Sequence, residues 1–380
     1  MRVLHLHDAP HIHGGATAYL KQLLPEMAIR GHENRLFCLD HAADFLPEGD
    51  QSVFRYQWPK SSFQRRRDFH SFHAPLAEQL REFVETQGPD LVHVQNCSAF
   101  RSTIFPTIFK LGVPLVMTVH DFSLIDPNPW GLDRSGVVGQ LKQVLDRRSL
   151  AKARACVFGA TQMFLCPTDA LLRGIRFPEG KARVQRLPIQ PAEASALPED
   201  HLRLFFAGTL YRSKGVDVLL HALAGCPGPL AEATLEIAGS GDQEDNLKAL
   251  CKTLGLEQRV KFLGFCDAAA MEAAYARANL QVLPSRVPEN SPLTVLEAGA
   301  RGRPALASHA GGVPELLPEG RGWTFPNEDA DALRRVLQTL AEDLSLLPST
   351  GAEMRSWVRK EFSPSGHWDS TDAAYHELTG

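Results

Sequence analysis

The stretch "LQVLPSRVPENSPLTVLEAGARGRPALAS", residues 280–308, reads as a strand, a loop, a helix and a second strand. Its two ends, "LQVLPS" and "PALAS", are short apolar runs of β type. A strand followed by a helix and another strand implies a parallel sheet that is covered by helices on both faces. Ligands of such sheets bind at the carboxyl ends of the strands, which here is the loop "RVPEN".

The helix that follows this loop begins with a predicted anion site. We expect Ser291 to be its N-cap and Pro292 its first residue, where a missing N–H has no cost. The amides of Leu293 and Thr294 would then point outward at the positive end of the helix dipole. That arrangement suits a phosphate group.

Two glutamates flank the predicted anion site. Glu289 precedes the helix, and Glu297 lies six residues beyond Ser291, roughly 9 Å along the axis at 1.5 Å per residue. A nucleoside-diphosphate sugar with its phosphates on the amides would have one carboxylate at its sugar and the other at its ribose. A carboxylate accepts two hydrogen bonds at once, which suits paired hydroxyl groups.

The rest of the chain repeats the same alternation in two halves. The first half has the strand candidates "RVLHLH", "NRLFCL", "DLVHVQ", "PLVMTV", "MFLCPT" and "ARVQRLP". After "LPIQPAEASALPEDH" (187–201), which reads as a hinge, come "LRLFFAG", "ATLEIAG", "RVKFLG", "LQVLPS", "PALAS" and "GWTF". We therefore predict an α/β protein of two doubly wound parallel-sheet domains with the ligand in the cleft between them.

Bulk composition limits the classes of protein. A chain of 380 residues with 44% hydrophobic and 22% charged residues is expected to form two globular domains. Its seven cysteines are scattered without C-x-x-C spacing, which indicates thiols in a reducing compartment. No secretory segment and no apolar run of membrane-spanning length is apparent, so we expect a cytosolic protein.

Charge is unevenly distributed, and one basic cluster stands out. Residues 1–195 hold 23 Lys+Arg and 19 Asp+Glu (+4), and the remainder holds 17 and 25 (−8). The cluster contains Lys60, Arg65, Arg66 and Arg67 among aromatic residues. It is either a solvated helix face or a contact with anionic lipid on the inner face of the membrane, or with an anionic acceptor.

With Glu289 and Glu297 in the spacing E-x7-E, the sequence resembles the retaining nucleotide-sugar glycosyltransferases of family 4. "AGSGDQEDNLKALCKTLGLEQRVKFLGF", "YARANLQVLPS" and "GWTFPNEDADAL" extend the resemblance over the second half. The first half matches in "HGGATAYLKQLLPEMAIRGHE" and "PLVMTVHDF". The resemblance implies the GT-B fold: Rossmann-like domains at 1–192 and 193–363, with a last helix (364–380) packing back on the first.

The resemblance also implies further donor-binding residues. Lys214, six residues after Gly208, matches the pyrophosphate-binding lysine. The arginine that usually follows the glycine is replaced by Thr209, and Arg212 either substitutes for it or is solvated. Two glycine loops match as well. Gly14 and Gly15 would lie against the donor, and Gly239, Ser240 and Gly241 would lie beside the nucleotide. Asn290, just before the helix, is a further predicted donor-binding residue.

Histidines and aspartates raise further possibilities. His120 follows an apolar strand, and the resemblance implies that it contacts the donor sugar, whereas His93 reads as a core residue. A metal site at His5, His7, His11 and His13 is disfavoured because two of them lie on a strand and two in a loop. Asp329 and Asp331 spell Asp-x-Asp but read as helix capping.

We predict a metal-independent hexosyltransferase with no cofactor and no nucleic-acid partner. It would use a UDP- or GDP-sugar and a glycan, lipid-linked or small-molecule acceptor, in surface polysaccharide or glycolipid synthesis. An epimerase or phosphorylase on the same fold and a non-catalytic partner subunit remain the alternatives. Domain closure about 187–201 would exclude water from the reaction.

Overall fold

The structure is a computed structural model that describes residues 1–7, 15–39, 52–56, 72–97, 100–126 and 136–380. The described residues form two compact units. One comprises those up to Leu187 together with Ser365–Gly380, and the other comprises Pro188–Pro364. The divisions therefore lie at 187/188 and 364/365, where the sequence predicted 192/193 and 363/364.

The first unit is built on a parallel sheet of seven strands in the order β3-β2-β1-β4-β5-β6-β7. The strands are β1 (Arg2–His7), β2 (Glu33–Leu39), β3 (Val53–Tyr56), β4 (Leu91–Asn96), β5 (Leu115–Thr118), β6 (Met163–Cys166) and β7 (Ala182–Val184). The described helices are α1 (Gly15–Ile29), α2 (Ala74–Gln87), α3 (Arg101–Leu111), α4 (Gly136–Ala160) and α5 (Asp169–Ile175). Among the strands that the structure describes, the sequence-based prediction missed only β3, a four-residue edge strand that contains Arg55 and has no long apolar run.

The second unit has a parallel sheet of six strands in the order β10-β9-β8-β11-β12-β13. The strands are β8 (Arg203–Ala207), β9 (Thr234–Ala238), β10 (Val260–Gly264), β11 (Leu280–Leu283), β12 (Ala305–Ser308) and β13 (Trp323–Phe325). The helices are α6 (Val216–Leu223), α7 (Glu244–Thr253), α8 (Ala268–Arg277), α9 (Leu293–Ala300), α10 (Val313–Leu316), α11 (Ala330–Glu342) and α12 (Leu346–Glu361). Two 3-10 turns, Arg212–Lys214 and Gly228–Glu232, complete it.

Both sheets are covered on two faces, which is why their strands are nearly continuous apolar runs. Strand β11, for example, is buried at all four positions, and the side chains of Leu280 and Val282 have no exposed surface. Its neighbours in the sheet are β8 and β12, so the loops that follow β8, β11 and β12 emerge at the same sheet edge.

The last helix, α13 (Pro364–Thr379), belongs to the first unit. It buries Trp368, and the hydroxyl of Tyr375 lies 2.6 Å from Nδ1 of His93 on β4. Residues 187–201, the predicted hinge, contain no helix or strand. Of the helices that the structure describes, none has the length and apolar character needed to cross a lipid bilayer.

Candidate active site

The loop after β11 holds Glu289 in a fixed position. Nζ of Lys214 lies 2.7 Å from Oε1 of Glu289, and the hydroxyl of Ser285 donates to the same oxygen. Ser285 is fully buried, and its carbonyl accepts a 2.7 Å bond from the hydroxyl of Ser308 on β12. The predicted sugar-binding carboxylate and the predicted phosphate-binding lysine therefore lie in direct contact.

The backbone of Glu289 is fixed by the chain after β12. Residue 289 forms a parallel bridge with Gly311, and the amide of Gly312 donates to the Glu289 carbonyl at 2.7 Å. Gly311 has φ +63°, and a Cβ there would lie 2.2 Å from that carbonyl oxygen. Only glycine permits this approach without a shift of the backbone.

Lys214 is held against the same loop by an equally close backbone contact. The 3-10 turn Arg212–Lys214 ends at Gly215, whose φ is +65°. A Cβ at Gly215 would lie 2.0 Å from the carbonyl oxygen of Pro284. The amide of Arg286 also donates to the Ser213 carbonyl at 2.7 Å, so the two segments are hydrogen-bonded along their backbones.

A second arginine, which the sequence-based prediction did not include, lies in this cluster. Nη1 and Nη2 of Arg286 lie 2.5 and 2.8 Å from the two carboxylate oxygens of Asp217 at the start of α6. Burial favours a higher pKa for Asp217, but its ion pair with Arg286 outweighs that effect and lowers the pKa. Arg286 opens the loop after a buried strand, and that position is the signal that could have identified it.

Arg212, the predicted substitute for the missing arginine, is exposed. Its carbonyl accepts a 3.2 Å bond from Nη1 of Arg286. Thr209, which stands at the usual arginine position, is also exposed. Arg212 is thus close to Lys214 in the chain and exposed, whereas the guanidinium of Arg286 forms an ion pair with Asp217.

The start of α9 differs from the prediction by one residue. Pro292 is the N-cap, with φ −66° and ψ 106°, and the helix runs from Leu293. The prediction of Ser291 as the capping residue is wrong, because the extended backbone of Pro292 itself precedes the first turn. In the part of the chain that the structure describes, the buried hydroxyl oxygen of Ser291 has no hydrogen-bond partner.

Glu297 lies on α9, in surroundings unlike those of Glu289. The hydroxyl of Tyr275 donates to Oε2 of Glu297 at 3.1 Å. Burial raises the pKa of Glu297, and the Tyr275 hydrogen bond and the charge of Arg301 oppose that shift without cancelling it. The guanidinium of Arg301 stacks over the Tyr275 ring at 4.6 Å from its centre.

The glycine loops after β8 and β9 pack backbone against backbone. The amide of Gly208 donates to the Ala238 carbonyl at 3.0 Å, and a Cβ on Gly239 would lie 1.8 Å from the Gly208 carbonyl oxygen. A Cβ on Gly241 would lie 2.5 Å from the Leu210 carbonyl oxygen. Ser240 between them is exposed at the end of the sheet.

In the first unit, His120 comes two residues after β5. Its ring meets the ring of Tyr19 edge-on, with 5.3 Å between their centres. Burial lowers the pKa of His120 to about 3, and the charges of His7 and His367 act in the same direction. His120 is therefore neutral at physiological pH.

Other predicted residues of this unit have structural partners or lie outside the described residues. Nε2 of His5 lies 2.9 Å from Oδ1 of Asn34, and Nε2 of His7 lies 3.0 Å from Oγ1 of Thr17. Gly15 begins α1 and is exposed. Gly14, His11, His13, Lys60, Arg65, Arg66 and Arg67 lie outside the described residues, so the predicted membrane contact stays a prediction.

Two structural predictions from the sequence are confirmed. His93 is fully buried on β4. Asp329 is the N-cap of α11 and accepts a 2.8 Å bond from the amide of Ala332, as expected of a capping residue. The seven cysteines form no disulfide.

One group of described side chains has the geometry for a metal ion. One ligand atom each from His32, Asp372 and His376 lies within 4.8 Å of the other two. Nε2 of His32, the residue before β2, already lies 2.6 Å from Oδ1 of Asp372 on α13, a hydrogen bond that explains their proximity.

Two units on one chain, each built on a parallel sheet, are the architecture expected of the GT-B fold. The family model for Glycosyltransferase Family 4 matches residues 13–188, and that for glycosyl transferases group 1 matches residues 191–356. An uncharacterized glycosyltransferase from Methanocaldococcus jannaschii is 38% identical over 346 residues, which cover 85% of this chain and 84% of that protein. The chain therefore belongs to glycosyltransferase family 4.

Two further relatives illustrate the range of the similarity. A GDP-mannose-dependent monoacylated alpha-(1-6)-phosphatidylinositol monomannoside mannosyltransferase from Corynebacterium glutamicum is 32% identical over 156 residues, 40% of each chain. The crystal structure of HepE from Anabaena, in complex with UDP and glucose, superposes with a TM-score of 0.76 at 20% identity over 100% of both chains. The structural similarity establishes the fold.

Proposed function

We propose that this glycosyltransferase transfers a hexosyl unit from a UDP- or GDP-sugar to an acceptor hydroxyl, with retention of anomeric configuration and without a metal ion. The acceptor would belong to surface polysaccharide, lipid-linked glycan or glycolipid synthesis. The observation that carries the proposal is the contact of Lys214 and Glu289 at 2.7 Å, directly before the first turn of α9. A cation and a helix start can bind the diphosphate of a nucleotide sugar, and a carboxylate can accept hydrogen bonds from its sugar hydroxyls.

The diphosphate is proposed to bind at the start of α9. Leu293 and Thr294 are the first helical residues, so their amides have no acceptor within the helix. The Ser291 hydroxyl, which lacks a partner among the described residues, is a further donor for a phosphate oxygen. Lys214 would supply the positive charge that the leaving diphosphate requires.

The two glutamates are proposed to bind opposite ends of the donor. Glu289 is held rigidly by Ser285 and Gly312, which suits a residue that orients sugar hydroxyls. Glu297 lies two turns further along α9 and would accept hydrogen bonds from the ribose. Oε1 of Glu289 accepts hydrogen bonds from Nζ of Lys214 and from the hydroxyl of Ser285. We therefore assign Oε2 as the oxygen that accepts hydrogen bonds from the sugar hydroxyls.

The relatives support both nucleotides as candidates. HepE, a protein of the same fold, was crystallised with UDP and glucose, and the C. glutamicum relative is named as GDP-mannose-dependent. The contacts that we propose involve the phosphates, the ribose and the sugar and not the base, so the proposal includes both UDP and GDP.

The proposed chemistry needs no protein nucleophile. The acceptor oxygen would form its bond to the anomeric carbon on the face from which the diphosphate leaves, and a departing phosphate oxygen would take the acceptor proton. Lys214 and the α9 amides stabilise the charge that develops on the diphosphate. His120, neutral because of its lowered pKa, stays a predicted hydrogen-bond contact to the donor sugar.

A donor panel tests the proposal. Nucleotide release from UDP- and GDP-sugars is measured with and without acceptor extracts, and proton NMR of the product reports the anomeric configuration. We expect Lys214→Ala to lower turnover about 100- to 1000-fold, as loss of a charge-stabilising group does. Lys248→Ala is the matched control, since Lys248 forms a comparable 2.7 Å pair with Glu244 on the surface of α7.

The proposal fails if no nucleotide sugar in the panel releases nucleotide. It also fails if Lys214→Ala and Lys248→Ala both keep wild-type turnover. An inverted product would refute the retaining mechanism alone.

A further inference from the structure

The contact between Lys214 and Glu289 joins two groups that the proposed function assigns to different parts of the donor. Lys214 would bind the diphosphate and Glu289 the sugar, yet in the structure each neutralises the charge of the other at 2.7 Å. Their side chains are only 26% and 15% exposed, so water screens the pair less than it screens a surface ion pair. A ligand at this site therefore interacts with the pair and not with an isolated lysine.

Glu289 has little freedom to leave the lysine. The buried Ser285 hydroxyl donates to the same Oε1, and the backbone of residue 289 is fixed by Gly311 and Gly312. The close approach of Gly215 to the Pro284 carbonyl likewise fixes the segment that carries Lys214. Both charges consequently stay within the site when a ligand enters it.

Two classes of ligand meet this fixed pair differently. A bare nucleoside diphosphate brings negative charge to Lys214 and is repelled by the carboxylate beside it. A nucleotide sugar carries one less negative charge near the lysine, because its terminal phosphate is esterified, and its hydroxyls donate to the carboxylate. The carboxylate thus opposes the first ligand and attracts the second.

We infer that the Lys214–Glu289 pair makes the site select a nucleotide sugar over the bare nucleoside diphosphate. This inference rests on the proposed function and adds a selectivity for the substrate over the product of that same site. After transfer, the product diphosphate has lost the hydroxyls that favoured its binding while the repulsion from Glu289 remains. The pair therefore promotes product release.

Titration calorimetry on Glu289→Gln tests the inference. The substitution keeps the shape of the side chain and removes its charge. We expect UDP or GDP, whichever the wild type binds, to bind about two- to five-fold more tightly, the upper part of the range of one partly exposed ion-pair interaction. The corresponding UDP-glucose or GDP-mannose should bind more weakly, so the two affinities change in opposite directions.

Glu236→Gln is the matched control. Glu236 lies on β9 and pairs with Arg277 at 2.8 Å, with its side chain 22% exposed. It is therefore the same substitution in a similar ion pair, but in the middle of a strand rather than in a loop beyond the strand ends. Both nucleotide and nucleotide sugar should keep their wild-type affinities in this variant.

The outcomes separate the two proposals. If the wild type binds neither nucleotide nor nucleotide sugar, the proposed function is wrong. If it binds both, and Glu289→Gln binds the bare nucleotide no more tightly than wild type, the inference is overturned and the proposed function stands. Thermal unfolding checks each variant, and Glu289→Ala, which also removes the charge, replaces Glu289→Gln if the latter does not fold.

Discussion

At the scale of single residues, the two glutamates of the E-x7-E spacing have opposite electrostatic surroundings. Glu289 is paired with a lysine, whereas Glu297 is next to a tyrosine hydroxyl and its pKa is raised by burial. A raised pKa means that folding disfavours the charged form of Glu297. The sequence spacing alone treats the two residues as equivalent, and only their packing separates them.

Glu297→Gln should therefore stabilise the protein and weaken its ligand binding. A Glu with a raised native pKa stabilises the fold most below its unfolded pKa, and that contribution is lost as pH rises through the native value. The neutral glutamine avoids that loss, so we expect a higher unfolding temperature at pH 8 than for the wild type and a smaller difference near pH 4. Differential scanning calorimetry at both values measures the effect.

The same variant should bind the nucleotide about ten- to 100-fold more weakly, as expected for loss of hydrogen bonds to a charged acceptor. Calorimetric titration with UDP and GDP gives this number. A variant that is both less stable at pH 8 and unchanged in affinity would contradict the assignment of Glu297 to the ribose.

At the scale of elements, the candidate site is assembled from loops whose backbones touch. The loops after β8 and β9 approach each other at Gly208 and Gly239, and those after β11 and β12 at Glu289 and Gly311. Such contacts position the functional side chains because the strands beneath them are buried and in fixed parallel register. A residue with a Cβ at Gly239 or at Gly311 would separate the loops.

Gly239→Ala should disrupt the donor loops. Its Cβ would lie 1.8 Å from a carbonyl oxygen at a φ of +134°, so overpacking and backbone strain together cost about 3 kcal/mol or more. Gly255→Ala is the control, because Gly255 has φ +67° but nothing within 4 Å of its Cβ, and strain alone costs about 1–2 kcal/mol. Urea unfolding of both variants tests whether close approach, rather than φ, decides the difference.

The order of the elements could be predicted from the sequence because parallel strands are apolar throughout and bounded by turn residues. Lys214 was predicted from the resemblance to family 4, and the two glutamates from their spacing on either side of a predicted helix start; their roles stay predictions. The position of Arg286 after a buried strand was a signal, but its ion pair with Asp217 could not be predicted, because Asp217 lies 69 positions earlier in the chain. The capping role of Ser291 was wrong because Pro292 takes an extended conformation, which a Ser-Pro pair does not reveal.

At the scale of the whole molecule, the two units differ in their sensitivity to acid. Among the residues that the structure describes, burial lowers the pKa of five histidines, and all five lie in the first unit: His5, His7 and His367 to about 4, His120 to about 3, and His93 well below its usual value. In the second unit, the raised pKa of Glu297 acts in the opposite direction. The unfolding of the two units should therefore respond differently to pH.

The first unit is expected to open first as the pH falls from 6.5 towards 4. In that window the unfolded chain binds protons that the native histidines do not, so the free energy of unfolding falls by up to about 1.4 kcal/mol per pH unit for each histidine. Hydrogen exchange at pH 7.5 and 5.5 measures this by peptide. Equal loss of protection in peptides from 203–207 and 91–96 would contradict the expectation.

The membership of α13 in the first unit has a consequence for synthesis on the ribosome. Residues 188–364, which form the second unit, are translated before Ser365–Gly380, which complete the first. The second unit can thus acquire its final structure while the first unit still lacks Trp368 and Tyr375, two of its buried aromatic residues. Nascent chains stalled before residue 365 should accordingly present an unfinished amino-terminal sheet to chaperones.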